Sequence, residues 1–205
     1  VVNAGEQSVE FVDRGRGDRL VGEVVGVAGQ NGGVTGGAAE FDGGSYLAWG
    51  TAVSDTLAGS FSVSLWIKTT QVDWAGPTDP AYYGVGIVYA DVPGQTNDAI
   101  PIGMTGGKAA FMTSDGIQDT TIHTTASINS GAWVHVVATY DIGTGVKKLY
   151  HNGVLQATET VNPTAVNARN AVFLGANVSD YYYFQGKLDD FQFYSVTLSA
   201  PEVAF

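Results

Sequence analysis

The chain contains no cysteine, which excludes disulfide bonds, thiolate nucleophiles and cysteine-ligated zinc together. Charged residues are scarce at 14%, and only nine are basic against twenty acidic, for a formal charge of -11. Such a surface repels phosphate backbones and anionic headgroups, so neither nucleic acid nor a charged membrane is expected as a partner. No apolar run approaches the roughly 20 residues of a membrane span. Helical periodicity is missing as well, with no sustained apolar repeat near 3.6 residues. The three histidines, His123, His135 and His151, lack metal-ligand spacing, and no Gly-x-Ser-x-Gly elbow occurs. His135 reads as a structural hydrogen-bonding residue within a strand. An initiator Met and an apolar leader are absent from the start at Val1, so the chain reads as a processed or excised segment.

What is present suits β structure. Hydrophobic residues make up 44% and glycine supplies 28 positions, a mixture of core-formers and turn-formers. Phe61, Val63, Leu65 and Ile67 alternate with Ser62, Ser64, Trp66 and Lys68, which predicts a strand with one apolar face. Trp133 to Asp141 alternates likewise, with Val134, Val136, Ala138 and Tyr140 on one side. Val146 to Thr158 reads as a hairpin reversing at His151-Asn152-Gly153, because Asn-Gly tolerates the positive φ angles of a tight turn. Further strands are expected at residues 9–11, 38–41, 46–49, 84–89, 108–112, 117–121, 172–174 and 186–194. Ser199 with Glu202 three residues on predicts one capped helical turn.

Two stretches read as long loops, Gly26 to Gly37 and Gln71 to Pro101, the latter with four prolines and a cluster of Trp and Tyr. Loops on a rigid β scaffold are where binding residues concentrate. No linker divides residues 1–205, which predicts a single domain.

Several segments taken in order resemble the laminin-G-like, concanavalin A-like jelly-roll family related to pentraxins. They are Gly36-Gly37-Ala38-Ala39-Glu40-Phe41-Asp42-Gly43, then Phe61-Ser62-Val63-Ser64-Leu65-Trp66-Ile67-Lys68, then Trp133-Val134-His135-Val136-Val137-Ala138-Thr139-Tyr140-Asp141. Leu149-Tyr150-His151-Asn152-Gly153 and the closing Gly186-Lys187-Leu188-Asp189-Asp190-Phe191-Gln192-Phe193-Tyr194 complete the set. The opening, Val9 to Asp13, matches only loosely. The resemblance implies an all-β, two-sheet antiparallel jelly-roll sandwich. It also implies a calcium ion near the Asp-Gly turn and the closing strand, held by Asp42, the Gly43 carbonyl and Asp189, with Asp18 as a further ligand. Strict alternation places Asp189 on the face of Phe191 and Phe193, where a carboxylate needs a compensating partner, and Asp190 on the opposite face. Backbone N–H groups are the alternative partner for Asp189. Arg16-Gly17-Asp18 spells an integrin-recognised tripeptide, a match too short to specify function.

Laminarinase-like glycosidases share this sandwich and use a Glu-x-Asp-x-x-Glu strand motif. The six glutamates here form no such motif, and retaining chemistry needs two carboxylates about 5–5.5 Å apart. Binding without catalysis is the better reading. Flat sugar faces stack on aromatic rings while amides and carboxylates grip hydroxyls. The expected ligand-binding residues are Trp74, Tyr82 and Tyr83 from the long loop, with Asn177, Asp180, Tyr181 and Tyr183 before the closing strand. In the Tyr181-Tyr182-Tyr183 run alternate rings point apart, so at least one packs structurally. The expected function is a calcium-dependent or calcium-stabilised glycan-binding module of a larger extracellular or cell-surface protein, such as a bacterial adhesin or a polysaccharide-degrading enzyme. A protein-interaction or spacer domain is the alternative, and a glycoside hydrolase ranks last.

Overall fold

Alternating strands can bury their apolar faces only against a second sheet, and the chain does this with two antiparallel sheets. The computed structural model describes residues 9–12, 19–25, 28–31, 33–34, 37–166 and 169–204. The strands are β1 (Val9–Val12), β2 (Arg19–Val25), β3 (Ala28–Asn31), β4 (Gly37–Asp42), β5 (Tyr46–Trp49), β6 (Phe61–Lys68), β7 (Val85–Tyr89), β8 (Ala99–Thr105) and β9 (Lys108–Ser114). They continue with β10 (Asp119–Ser127), β11 (Val134–Asp141), β12 (Val146–His151), β13 (Val154–Thr160), β14 (Val172–Leu174), β15 (Ala176–Asn177), β16 (Tyr182–Tyr183) and β17 (Gln185–Tyr194). Helical structure is limited to α1 (Thr51–Ser54), two 3-10 turns (Asp55–Ala58 and Ala81–Tyr83) and α2 (Ala200–Val203). Among the described residues no helix is long and apolar enough to cross a membrane.

The first sheet runs β1-β2-β5-β14-β7-β8-β9-β10 and the second β13-β12-β11-β6-β17-β4-β3, while β15 and β16 form a separate small hairpin. The predicted alternation on β6 and β11 holds: Phe61, Val63, Leu65, Ile67, Val134, Val136, Ala138 and Tyr140 are all in the core. Aromatic rings join the two sheets. Trp49 of β5 stacks on Phe191 of β17 with centroids 5.3 Å apart, and Phe61 of β6 meets the edge of Phe111 of β9 at 6.2 Å. Asn152 (φ 49) and Gly153 (φ 76) make the expected reversal between β12 and β13. Glu202 accepts the Ser199 backbone N–H at 2.8 Å, the reach-back bond of the capped turn, and also the Ser199 hydroxyl at 2.6 Å.

Both long stretches contain strands among their described residues. Gly26 to Gly37 contains β3, and Gln71 to Pro101 contains β7 and the start of β8. β8 is buried along its whole length, so it shows no alternation. Its Pro101 sits within a register shift between Ile100 and Gly103, where a missing N–H is tolerated.

The closing strand departs from strict alternation. Its register with β6 slips between Asp189, opposite Trp66, and Gln192, opposite Ser64. Asp190 takes a left-handed conformation (φ 46) at this bulge. One extra residue there shifts the phase, so Leu188, Phe191 and Phe193 all enter the core. Asp189 therefore lies on the opposite face, level with Trp66, which corrects the expectation that it shares the phenylalanine face. It is buried all the same, and its carboxylate accepts the N–H groups of Val34 and Asp190.

Candidate functional site

Both aromatic loops lie outside the sandwich core and meet. The segment after β6 is held by two side chains before it presents its rings. Gln71 donates to the Tyr183 carbonyl at 2.9 Å and accepts the Gln185 N–H at 2.9 Å. The Asp73 carboxylate accepts the Gly106 and Gly107 N–H groups at 2.8 and 3.3 Å, tying the loop to the β8–β9 turn. Farther on, Asp79 accepts the Gly76 N–H at 2.7 Å, and the His123 ring contacts the Asp79 carbonyl at 2.9 Å. Burial lowers the His123 pKa, in keeping with this structural role.

The 3-10 turn Ala81–Tyr83 then lies over the outer face of the first sheet, where Ala81 joins Tyr89, Ile100, Ala110 and Met112 in a second apolar cluster. The β15–β16 hairpin lies beside it. Gly86 of β7 makes this possible, since a Cβ there would fall 2.4 Å from the Asn177 nitrogen and 2.5 Å from the Ala176 carbonyl. Arg169 supports the same face, with its guanidinium 5.7 and 5.5 Å from the ring centres of Tyr89 and Phe173. It also donates to the Asp91 carbonyl at 2.6 Å and the Ser179 hydroxyl at 3.0 Å.

The result is one aromatic patch built from residues more than a hundred positions apart. Trp74 meets Tyr182 at 5.2 Å and Tyr83 at 6.2 Å, and Tyr83 meets Tyr82 at 4.7 Å. Trp74 remains 60% exposed, Tyr83 47% and Tyr181 74%, so large rings face solvent where apolar surface is usually covered. The tyrosine run divides as its alternation predicts. Tyr182 turns to Trp74, while Tyr183 stacks on Tyr46 at 6.4 Å. Burial, with Tyr83 and Asp119 nearby, raises the Tyr82 pKa, so its hydroxyl stays a donor.

Two expected contact residues have different duties. Asn177 is fully buried. Its amide donates to the carbonyls of Tyr82 and Gly84 at 2.9 and 3.4 Å and to Asp180 at 3.4 Å, and its oxygen accepts the N–H groups of Ser179 and Asp180. Asn177 is therefore a clamp between the two loops, out of reach of a ligand. Asp180 is exposed beside it but is engaged through that contact. Sequence reasoning missed Tyr182, although it stands inside the run that was singled out. It also missed Gln71, whose polar character gave no signal before the partners 112 and 114 positions away were placed.

Gln71 also borders a groove of about 450 Å³ at the same end of the sandwich. Glu40 and Asp42 of β4, Lys68 at the end of β6 and Thr70 after it, and Gln185 and Lys187 of β17 supply its polar lining.

The expected calcium ligands do not converge. Asp42 is the register partner of Gln185, four residues along β17 from Asp189, which separates them by about 13 Å at strand spacing. The Asp42 carboxylate accepts the Gly44 N–H at 2.9 Å, and this bond with the Ser45 hydroxyl holds its pKa below the usual value. Asp18 lies outside the described residues, as does the rest of the Arg16-Gly17-Asp18 tripeptide. Among the described residues no group of three His, Asp or Glu side chains is placed to hold a metal. The set Asp42, Gly43 and Asp189 therefore does not fit one ion.

On the outer face of the second sheet, His135 contacts the Ser64 hydroxyl at 2.7 Å and the Trp66 ring at 5.2 Å. Burial lowers its pKa to about 4, so it is neutral at pH 7, as suits a structural histidine.

Residues 41–204 match the model of the Concanavalin A-like lectin/glucanases superfamily. The binding domain of Paraclostridial Mosquitocidal Protein 1 is similar at TM-score 0.70 and 17% identity, over 96% of this chain and 50% of that one. The binding domain of botulinum neurotoxin DC, in complex with rat synaptotagmin II, is similar at TM-score 0.64 and 15% identity, over 96% and 50%. Domain 4 of AbnA, a GH43 extracellular arabinanase from Geobacillus stearothermophilus, in complex with arabinotriose, is similar at TM-score 0.68 and 25% identity, over 89% and 86%. The chain thus spans about half the length of the toxin domains. No curated protein sequence matches it.

Proposed function

The chain belongs to the Concanavalin A-like lectin/glucanases superfamily, and we propose that it serves there as a non-catalytic carbohydrate-binding module. The observation that carries this reading is the contact of exposed Trp74 with Tyr83 and Tyr182, three rings from two distant loops held in place by buried polar bonds. Rings preorganised in this way present a stacking platform without paying to order it on binding. The likeness to an arabinanase domain in complex with arabinotriose supports a saccharide as the ligand. That domain and the toxin binding domains support a place in a larger exported protein. Calcium is proposed only as a stabilising ion to be tested, since the ligand set expected for it does not gather.

Calorimetric titration with a panel of neutral oligosaccharides, arabinotriose included, tests the reading with and without calcium. Binding is expected for at least one member and should weaken by about tenfold or more in Trp74→Ala, as truncation of an interface hot spot does. Trp74 is exposed, so the variant should keep the wild-type thermal midpoint. Folded protein that binds no saccharide would overturn the proposal and leave a protein-interaction role.

A further inference from the structure

The whole chain has nine basic residues, and two of them face each other at the groove. Lys187 of β17 is the register partner of Lys68 on β6 and of Glu40 on β4. Directly opposed side chains share a face of the sheet, with Cβ atoms about 4.5–5.5 Å apart. One carboxylate and two ammonium groups therefore form a row across three strands, in the order minus, plus, plus. The next row pairs Asp42 with Gln185, and all five residues line the same groove. Among the described residues, neither lysine lies within 4.0 Å of a carboxylate oxygen. The Lys68 ammonium instead stands 6.0 Å from the Trp133 ring centre.

Like charges placed directly opposite each other destabilise a sheet, and a chain this acidic had few lysines to place together. An anion seated between the two ammonium groups would restore alternating charge along the row and remove that repulsion. Gln71 lines the groove and also bonds the backbone of Tyr183, the neighbour of Tyr182 in the aromatic patch. Resting on the carbohydrate-binding reading above, we propose that the groove is an acidic-group subsite. A saccharide chain would lay a neutral ring on Trp74, Tyr83 and Tyr182 and place the carboxylate of a uronic acid residue between Lys68 and Lys187. Glu40 and Asp42 stand on the far side of Lys187, so they reject an anion displaced toward β4 and sharpen the choice of position.

Titrations of the full chain with a neutral oligosaccharide, a uronate-containing one of equal length and a sulfated one test this. The uronate chain is expected to bind about tenfold more tightly than the neutral chain, the gain of a charge-assisted hydrogen bond. Lys68→Gln and Lys187→Gln should each reduce affinity for the uronate chain more than affinity for the neutral chain, and so shrink that preference. Trp74→Ala should weaken both ligands, and high salt should shrink only the preference. Tighter binding of the sulfated than of the uronate chain would overturn the assignment to a carboxylate. Equal affinity for neutral and uronate chains, or a preference that survives both lysine variants, would overturn the subsite and leave the aromatic platform standing. Loss of all saccharide binding in folded protein would overturn both.

Discussion

The side-chain amide of Asn177 donates to the backbone carbonyl of Tyr82 at 2.9 Å, across 95 positions of the chain. This bond and its companions to Gly84 and Asp180 decide that two aromatic loops form one surface.

Asn177→Ala leaves the Tyr82 carbonyl without that donor in a buried setting. The cost expected for an orphaned buried group is about 1–3 kcal/mol, or roughly 2–4 °C of thermal midpoint per kcal/mol for a chain of this size. Saccharide affinity should fall with it, because Tyr82 and Tyr182 lose their common anchor. A calorimetric scan and a titration of the same variant measure both effects. Full affinity together with a lowered midpoint would show that the clamp serves stability alone.

Gly86→Ala tests the same junction from the other side. The added methyl group would meet the Asn177 nitrogen at 2.4 Å, and neither backbone can yield without opening the hairpin. The midpoint should fall and Trp74 fluorescence should shift as Tyr182 moves from its ring. An unaltered emission spectrum would argue against a rigid junction.

Asp98 carries a pH dependence whose sign follows from its burial. It is fully buried, one oxygen accepts the Val92 N–H at 2.7 Å, and burial raises its pKa from 3.8 to about 7. Between those values the folded state holds a proton that the unfolded chain releases, so this group's contribution to stability falls as pH rises. Asp98→Asn should therefore gain midpoint over the parent protein from about pH 4 up to about pH 7, with the gain complete above. His135 works in the opposite direction. Burial lowers its pKa from 6.5 to about 4, so its contribution is complete above 6.5 and is lost as pH falls toward 4. Midpoints of Asp98→Asn and the parent across pH 4–8 separate the two, and a constant difference would contradict the Asp98 assignment.

Asp42 of β4, opposite Gln185, lies too far from Asp189 of β17 to share one ion with it. Any response of the thermal midpoint to chelation should therefore be the same in Asp42→Asn as in the parent protein. A chelator-induced drop that disappears in that variant would restore Asp42 as a calcium ligand.

Sequence alone determined the architecture through local pattern. The alternation of Phe61 to Lys68 and of Val134 to Tyr140 identified the core-facing residues, because side chains on a strand alternate faces. The Asn152-Gly153 reversal and the Ser199–Glu202 turn were legible for the same reason, since each depends on neighbours in the chain. Trp74, Tyr83 and Tyr181 stood out in the sequence as aromatic residues of loop segments, and all three are exposed.

The tertiary structure decided what depends on contacts remote in the chain. It made Asn177 a buried clamp, brought Tyr182 onto Trp74 and set Lys68 opposite Lys187. It also reversed the reading of Asp189, because the bulge at Asp190 shifts the closing strand by one residue. A rule of period two holds only while the pairing register is unbroken, and a bulge is set by the partner strand. The closing strand therefore identified the fold from its residues, while the face of each carboxylate was settled only by its pairing with β6.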